Sequence, residues 1–206
     1  MNSRELNTEK VILEAAEAEF LEKGYGSSKM LAIAKRAGVS HSMLHYYYRS
    51  KENLFQTIFL KKIQVISSSL GGIFDQQLSF FETVRLIIEF QFDFVANNPK
   101  LPRFILNEIA SNENNRALLL SLLAPQIKSI SEKLENMLTK EIDRGSIRPI
   151  TVYDLIMNIV SMNVSTFIAM PIVRDLFSLK DDKLVQDLLD KRRESNIQFV
   201  LNALRP

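Results

Sequence analysis

The side chains best suited to chemistry crowd into one stretch, where Ser40, His41, Ser42, His45, Tyr46 and Tyr47 bring hydroxyls, imidazoles and phenols together. Such groups donate and accept hydrogen bonds, and the histidines among them change charge near neutral pH. His41 and His45 are the only histidines and stand four apart, a spacing that presents two nitrogens from one helical turn to a metal. No third ligand accompanies them, and tight zinc sites need three or four, so no metal is expected. The chain has no cysteine, which removes disulfides, thiolate nucleophiles and cysteine-ligated clusters. No P-loop and no nucleophile elbow occurs, and carboxylate pairs such as Asp181-Asp182 have the setting of loop charges. Neither catalytic residues nor a cofactor is expected, and the chain does not have the pattern of an enzyme.

What positions the cluster is a pair of short helices. Gly38 can take the left-handed conformation that ends the first, Ser40 can cap the second, and Val39 and Leu44 supply the apolar grip between them. This is the pattern of a helix-turn-helix, in which the second helix enters a major groove about 12 Å wide. Charge follows the same division. Residues 1–22 carry two basic and six acidic side chains, residues 23–62 eight and one, and the remainder sixteen and seventeen, inside a net charge of +2. A basic block can be a solvated face, but a segment that grips phosphates needs one.

The composition is that of an ordinary globular protein, 46% hydrophobic with six glycines and six prolines in 206 residues, which favours long helices. Thr8 is expected to cap a first helix running to about Lys23, with Ile12, Ala15, Ala16 and Phe20 inward and Gly24 as its stop. Ser28 is expected to cap the second and Ser50 the fourth, on which Leu54, Phe55, Ile58 and Phe59 form the apolar face. Gly71-Gly72 interrupts the pattern and is expected to mark a boundary. Beyond it, Ser79 to Glu82 is a capping box, Pro99 and Pro102 separate two helices, and Pro125 bends a long one that stops at Gly145. Thr151 caps the next helix, and the last begins after a loop at 178–181. No strands and no repeats are expected. The uncharged stretch from Leu155 to Val173 approaches membrane-spanning length, but Asn158, Asn163, Pro171 and several hydroxyls interrupt it, so an interface helix is expected and no membrane. The N-terminus lacks a secretory pattern, which fits a cytoplasmic protein.

The run Ile12-Leu13-Glu14-Ala15-Ala16 with Phe20, Gly24-Tyr25, Ile33-Ala34, Ala37-Gly38-Val39-Ser40, Leu44, Tyr46-Tyr47-Tyr48 and Ser50 to Phe55 resembles the head of the tetracycline-repressor (TetR) family, without gaps over about residues 8–60. Gly145-Ser146-Ile147-Arg148 leading into Thr151 to Leu155 is similar to that family's approach to its eighth helix. The resemblance implies an all-α fold of about nine helices: a helix-turn-helix DNA-binding head in residues 1–50, a connecting helix in 51–72, and a helical effector-binding and dimerisation domain in 73–206. It implies a transcriptional regulator that binds a palindromic operator in double-stranded DNA as a homodimer and, as a repressor, leaves it when a small molecule binds. Ser28 and Lys51 would grip phosphates, Ser40, His41 and Ser42 would face base edges, and His45, Tyr46 and Tyr47 would touch phosphate or sugar. Tyr48, in place of the usual phenylalanine, is expected in the core. Three positions depart from the family: Ser42 stands where glycine is frequent, His45 where tyrosine is, and Leu31 where a polar or basic residue is. An effector pocket is expected among Phe90, Phe94, Phe104, Met157, Met162, Asn163 and Phe167, and with no ionic group placed to select charge the ligand is expected to be apolar or aromatic. The other reading is a helical protein-interaction module that keeps the helix-turn-helix as a scaffold.

Overall fold

The computed structural model describes residues 3–111 and 113–206. Nine α-helices and no strand are found among them: α1 (Ser3–Ser27), α2 (Met30–Ala37), α3 (His41–Tyr47), α4 (Lys51–Phe74), α5 (Phe80–Ala96), α6 (Leu101–Ser111), α7 (Glu113–Asp143), α8 (Val152–Leu176) and α9 (Asp182–Leu204). The chain divides into two compact units, one of residues up to Ile66 with Phe104–Leu123, the other of Ser67–Arg103 with Ala124–Pro206.

In the first unit α1 to α4 enclose a core of Ile12, Ala16, Phe20, Ile33, Leu44 and Leu54. Phe55 is the hub of its aromatic cluster, with ring centroids 5.6 Å from Phe20, 4.7 Å from Tyr25, 4.5 Å from Phe59 and 6.1 Å from Phe104 of α6. These are the inward faces that helical periodicity picks out. Two expectations for helix starts are corrected. α1 is already helical at Ser3, so Thr8 lies inside it; nothing between Ser3 and Thr8 is glycine or proline, and the helix has no reason to wait. α2 starts at Met30 with Lys29 as its extended N-cap and no side-chain capping bond, so Ser28 is not its cap. Gly24 does break α1, at φ 78° and ψ 159°, before a last turn to Ser27. The expected interruption at Gly71-Gly72 is absent. α4 runs through both, because a glycine weakens a helix by only about 1 kcal/mol and Leu70 and Ile73 beside them are buried.

The second unit is organised by α5, α8 and α9. Ser79 opens α5 with a full capping box, its hydroxyl accepting from the Glu82 N–H while Glu82 reaches back to the Ser79 N–H. Phe92 meets Phe167 edge to face at 5.0 Å, and Val95, Phe94, Val164 and Leu189 pack around them. Arg193 of α9 closes a two-pronged ion pair on Asp93 of α5, both contacts 2.8 Å. α7 ends with the Gly145 N–H on the Ile142 carbonyl and the Ser146 N–H on that of Glu141, Gly145 being left-handed at φ 69°. Thr151 caps α8 as expected, accepting from the Asp154 N–H. α8 is long and apolar enough to cross a membrane, yet Leu155, Ile159, Asn163 and Phe167 are buried along one side.

Candidate nucleic-acid interface

The turn between α2 and α3 is built as its residues require. Gly38 sits at φ 67° and ψ 25°, where a side chain would be strained, and lets the Gly38 and Val39 N–H groups close back on the Lys35 and Ala34 carbonyls. Ser40 then starts α3, its hydroxyl accepting from the Met43 N–H at 3.1 Å. Leu44 has no exposed surface and anchors α3 to the core. Tyr48 is buried, as expected, with its hydroxyl donating to Glu9 at 3.3 Å. Burial first, and then the Glu9 carboxylate, push that phenol well above its ordinary range, so it stays protonated.

With Leu44 inward and about 3.6 residues per turn, the opposite side of α3 is formed by Ser42 and Tyr46, flanked by His45 and Met43. Ser40, His41, Ser42, His45 and Tyr46 are all exposed, Tyr46 by 83%, and Tyr47 is half-buried. They are not independent. The Ser40 and Ser42 hydroxyls lie 3.0 Å apart, His41 and His45 meet edge to face at 4.5 Å, and Tyr46 and Tyr47 do so at 5.6 Å. The arrangement is a surface of donors, acceptors and aromatic edges carried by a helix fixed at its cap and by its one buried side.

Ser28 and Lys51 have other occupations than the phosphate contacts expected of them. Ser28 is 3% exposed, and its hydroxyl points to the carbonyls of Gly24 at 2.6 Å and Glu19 at 3.2 Å. The Lys51 ammonium reaches the carbonyls of Tyr25 at 2.7 Å, Ser28 at 3.0 Å and Gly26 at 3.3 Å, and lies 4.5 Å from the Tyr25 ring centre. Its three protons thus satisfy the carbonyls that the kink at Gly24 leaves without helical partners. Capping that joint is work that spacing alone could not reveal.

The basic block is also less free than its composition suggests. Lys23 pairs with Glu19, Arg36 with Glu19 and Glu22, Lys61 with Glu9, and Lys62 with Glu17. The acidic excess of α1 therefore neutralises half of it. No ion pair is found among the described residues for Lys29, Lys35 or Arg49, which are exposed and lie before, within and after the helix-turn-helix. A residue missed by the sequence reading is Glu108 of α6. It is buried, accepts from the Tyr25 N–H at 2.9 Å and the Asn115 amide at 2.6 Å, and comes within 3.3 Å of where a Gly24 side chain would begin. Its position in α6, 84 residues beyond Gly24 in the sequence, gave no local signal.

Of the candidate effector residues, Phe94 and Phe167 pack in one cluster of the second unit, with Phe92 and Val95. Phe104 belongs to the aromatic cluster of the first unit, 5.8 Å from Phe59. Asn163 is fully buried; its amide donates to the Ile88 carbonyl at 3.1 Å and its oxygen accepts from Asn196 at 2.8 Å, so it ties α8 to α5 and α9. Met157 is exposed on α8, Phe167 is buried against Phe92, Met162 is half-buried, and Phe90 and Phe94 lie half-buried with ring centres 6.1 Å apart on α5.

Residues 12–58 match the family model described as bacterial regulatory proteins, tetR family, and residues 81–200 match that of the tetracyclin repressor-like C-terminal domain. The chain is 26% identical to the nucleoid occlusion factor SlmA of Vibrio cholerae over 148 residues, 71% of this chain and 72% of that one. It is 25% identical to the fatty acid metabolism regulator protein of Bacillus subtilis over 137 residues, 66% of this chain and 69% of that one. Among solved structures, the transcriptional regulator FadR of Bacillus subtilis in complex with stearoyl-CoA shares the fold, with a TM-score of 0.67 at 20% identity over 95% of this chain and 99% of that one.

Proposed function

The chain belongs to the tetR family of bacterial regulatory proteins and is a DNA-binding transcriptional regulator; from there we propose that it is a cytoplasmic homodimeric repressor, released from a palindromic operator by an apolar small molecule. The observation that carries this reading is the exposed side of α3, held by the Ser40 cap and Leu44 and accompanied by cations that α1 leaves unpaired. Ser40, His41 and Ser42 would face base edges, with His45, Tyr46 and Tyr47 against the sugar–phosphate backbone. Lys29, Lys35 and Arg49 supply the long-range attraction, because the Lys51 ammonium is engaged inside the head. Family membership decides against the reading in which the helix-turn-helix is a mere scaffold, and catalysis is no part of the proposal.

Dimerisation is assigned to α8 and α9. Tyr153, Met157, Val160, Ile168, Ile172 and Leu176 are exposed at turn spacing along α8, and Leu184, Leu188 and Phe199 along α9. A two-fold pairing of such faces buries them and sets two heads on related half-sites. For the effector, the half-buried aromatic pair Phe90 and Phe94 supports an apolar ligand in the second unit. Stearoyl-CoA, bound in the similar FadR structure, is the first compound to try: its acyl chain is the apolar group these rings would meet, while its charged CoA portion is not accounted for by them.

The test is selection of bound sequences from random duplex DNA, followed by titration of the selected duplex with stearoyl-CoA at fixed salt. A palindrome bound by a dimer, and bound more weakly once stearoyl-CoA occupies the protein, is the expected result. Failure to enrich any sequence refutes the specific reader, and stearoyl-CoA occupancy without loss of duplex affinity refutes the release mechanism.

A further inference from the structure

The exposed side of α3 carries one large apolar side chain without a described role, Met43, 44% exposed at the flank of Ser42 and Tyr46. Its neighbours offer hydrogen bonds but partly to one another: the Ser40 hydroxyl already holds the Met43 N–H and lies 3.0 Å from that of Ser42, and the two imidazoles pack edge to face. A thioether left in water on a helix that enters a major groove has one complementary feature to meet there, the C5-methyl group of thymine, the groove's apolar mark. Met43 is unbranched and polarisable, able to close over a methyl group without demanding one geometry.

We infer that Met43 is a specificity-determining residue that reads a thymine methyl group, one in each half-site of the operator. The inference rests on α3 being the reading helix. Contact between the side chain and the methyl removes about one CH₂ equivalent of apolar surface from water on the DNA side, which corresponds to about a fourfold gain in affinity per thymine. Discrimination of that kind survives the mutual engagement of the two serines, because it needs no free hydrogen-bonding group.

Deoxyuridine isolates this contact, since it keeps the pairing edge of thymidine and lacks only the methyl group. In the duplex selected from the random pool, thymines are replaced one at a time and affinity is measured at fixed salt for the unaltered protein, Met43→Ala, Met43→Leu and Leu31→Ala. Leu31 is the comparison because it too is an exposed apolar residue of the helix-turn-helix, 67% exposed on α2. One thymine per half-site is expected to respond about fourfold in the unaltered protein and in Met43→Leu, to respond equally in Leu31→Ala, and to lose its response in Met43→Ala. The inference is overturned if no thymine responds, if the response persists in Met43→Ala, or if Leu31→Ala abolishes it. Failure to select any duplex removes the reading helix itself and is thereby distinguished from failure of Met43 alone. The alanine variant retains Leu44 and the Ser40 cap, so its melting temperature should match that of the unaltered protein, and Met43→Leu tests the same contact should it not.

Discussion

Truncating Lys51 to alanine takes an ammonium away from three carbonyls at the joint between α1 and α2. Hydrogen bonds to charged groups contribute about 1.5–3 kcal/mol when buried and less when half-exposed, so the expected loss of stability in urea denaturation is about 1–3 kcal/mol. The dependence of DNA affinity on salt should hardly change. Arg49→Ala should do the reverse, leaving stability unaltered while lowering the slope of log affinity against log salt by about 1 per head. Ser40, Leu44 and Gly38 were legible in the sequence because a cap, an inward position and a left-handed stop are each set by local geometry. Ser28, Lys51 and Glu108 were not, since which way a hydroxyl turns, or which carboxylate arrives from another helix, is decided by packing.

The two kinds of glycine in the helices should respond oppositely to alanine. At Gly24 the backbone has positive φ and the Glu108 oxygen stands 3.3 Å from the new Cβ, so Gly24→Ala is expected to destabilise by about 1–3 kcal/mol. At Gly71 the backbone is helical with nothing within 4 Å, so Gly71→Ala should stabilise by about 0.5–1 kcal/mol, measured by thermal unfolding. The capping box of α5 adds a pH dependence. Hydrogen bonds from the Ser79 hydroxyl, and then from its backbone N–H, hold the Glu82 carboxyl below its ordinary 4.5. A lowered folded-state value means stability that is present in full above the unfolded value and lost as pH falls through the folded one. The stability difference between the unaltered protein and Glu82→Ala should therefore be constant from neutral pH down to about 5 and shrink below 4.5. The boxes and left-handed stops were readable because they occupy four or five neighbouring positions. The Gly71-Gly72 pair misled because a breaker's local cost is small beside the burial of Leu70 and Ile73.

For the whole molecule, the apolar row on α8 makes assembly testable without DNA. Ile172→Glu places a charge in the face assigned to the partner and is expected to give a monomer in sedimentation at micromolar concentration, with helical content retained because Ile172 is exposed in the single chain. The dimer's hold on DNA should show a slope of log affinity against log salt near −5, about 0.9 for each of roughly six phosphates met by Lys29, Lys35 and Arg49 of two heads. Were all eight basic residues of each block engaged, the slope would approach about −14. The pairing of Lys23, Arg36, Lys61 and Lys62 with carboxylates of α1 is the reason for the lower figure. A head that carries its own counter-ions has little to gain from displacing those of the duplex. Compared with a head whose eight cations were all free, such a regulator would linger less on bulk chromosomal DNA and would lose less of its grip when the cell's salt rises, about thirtyfold rather than about ten-thousandfold for each doubling.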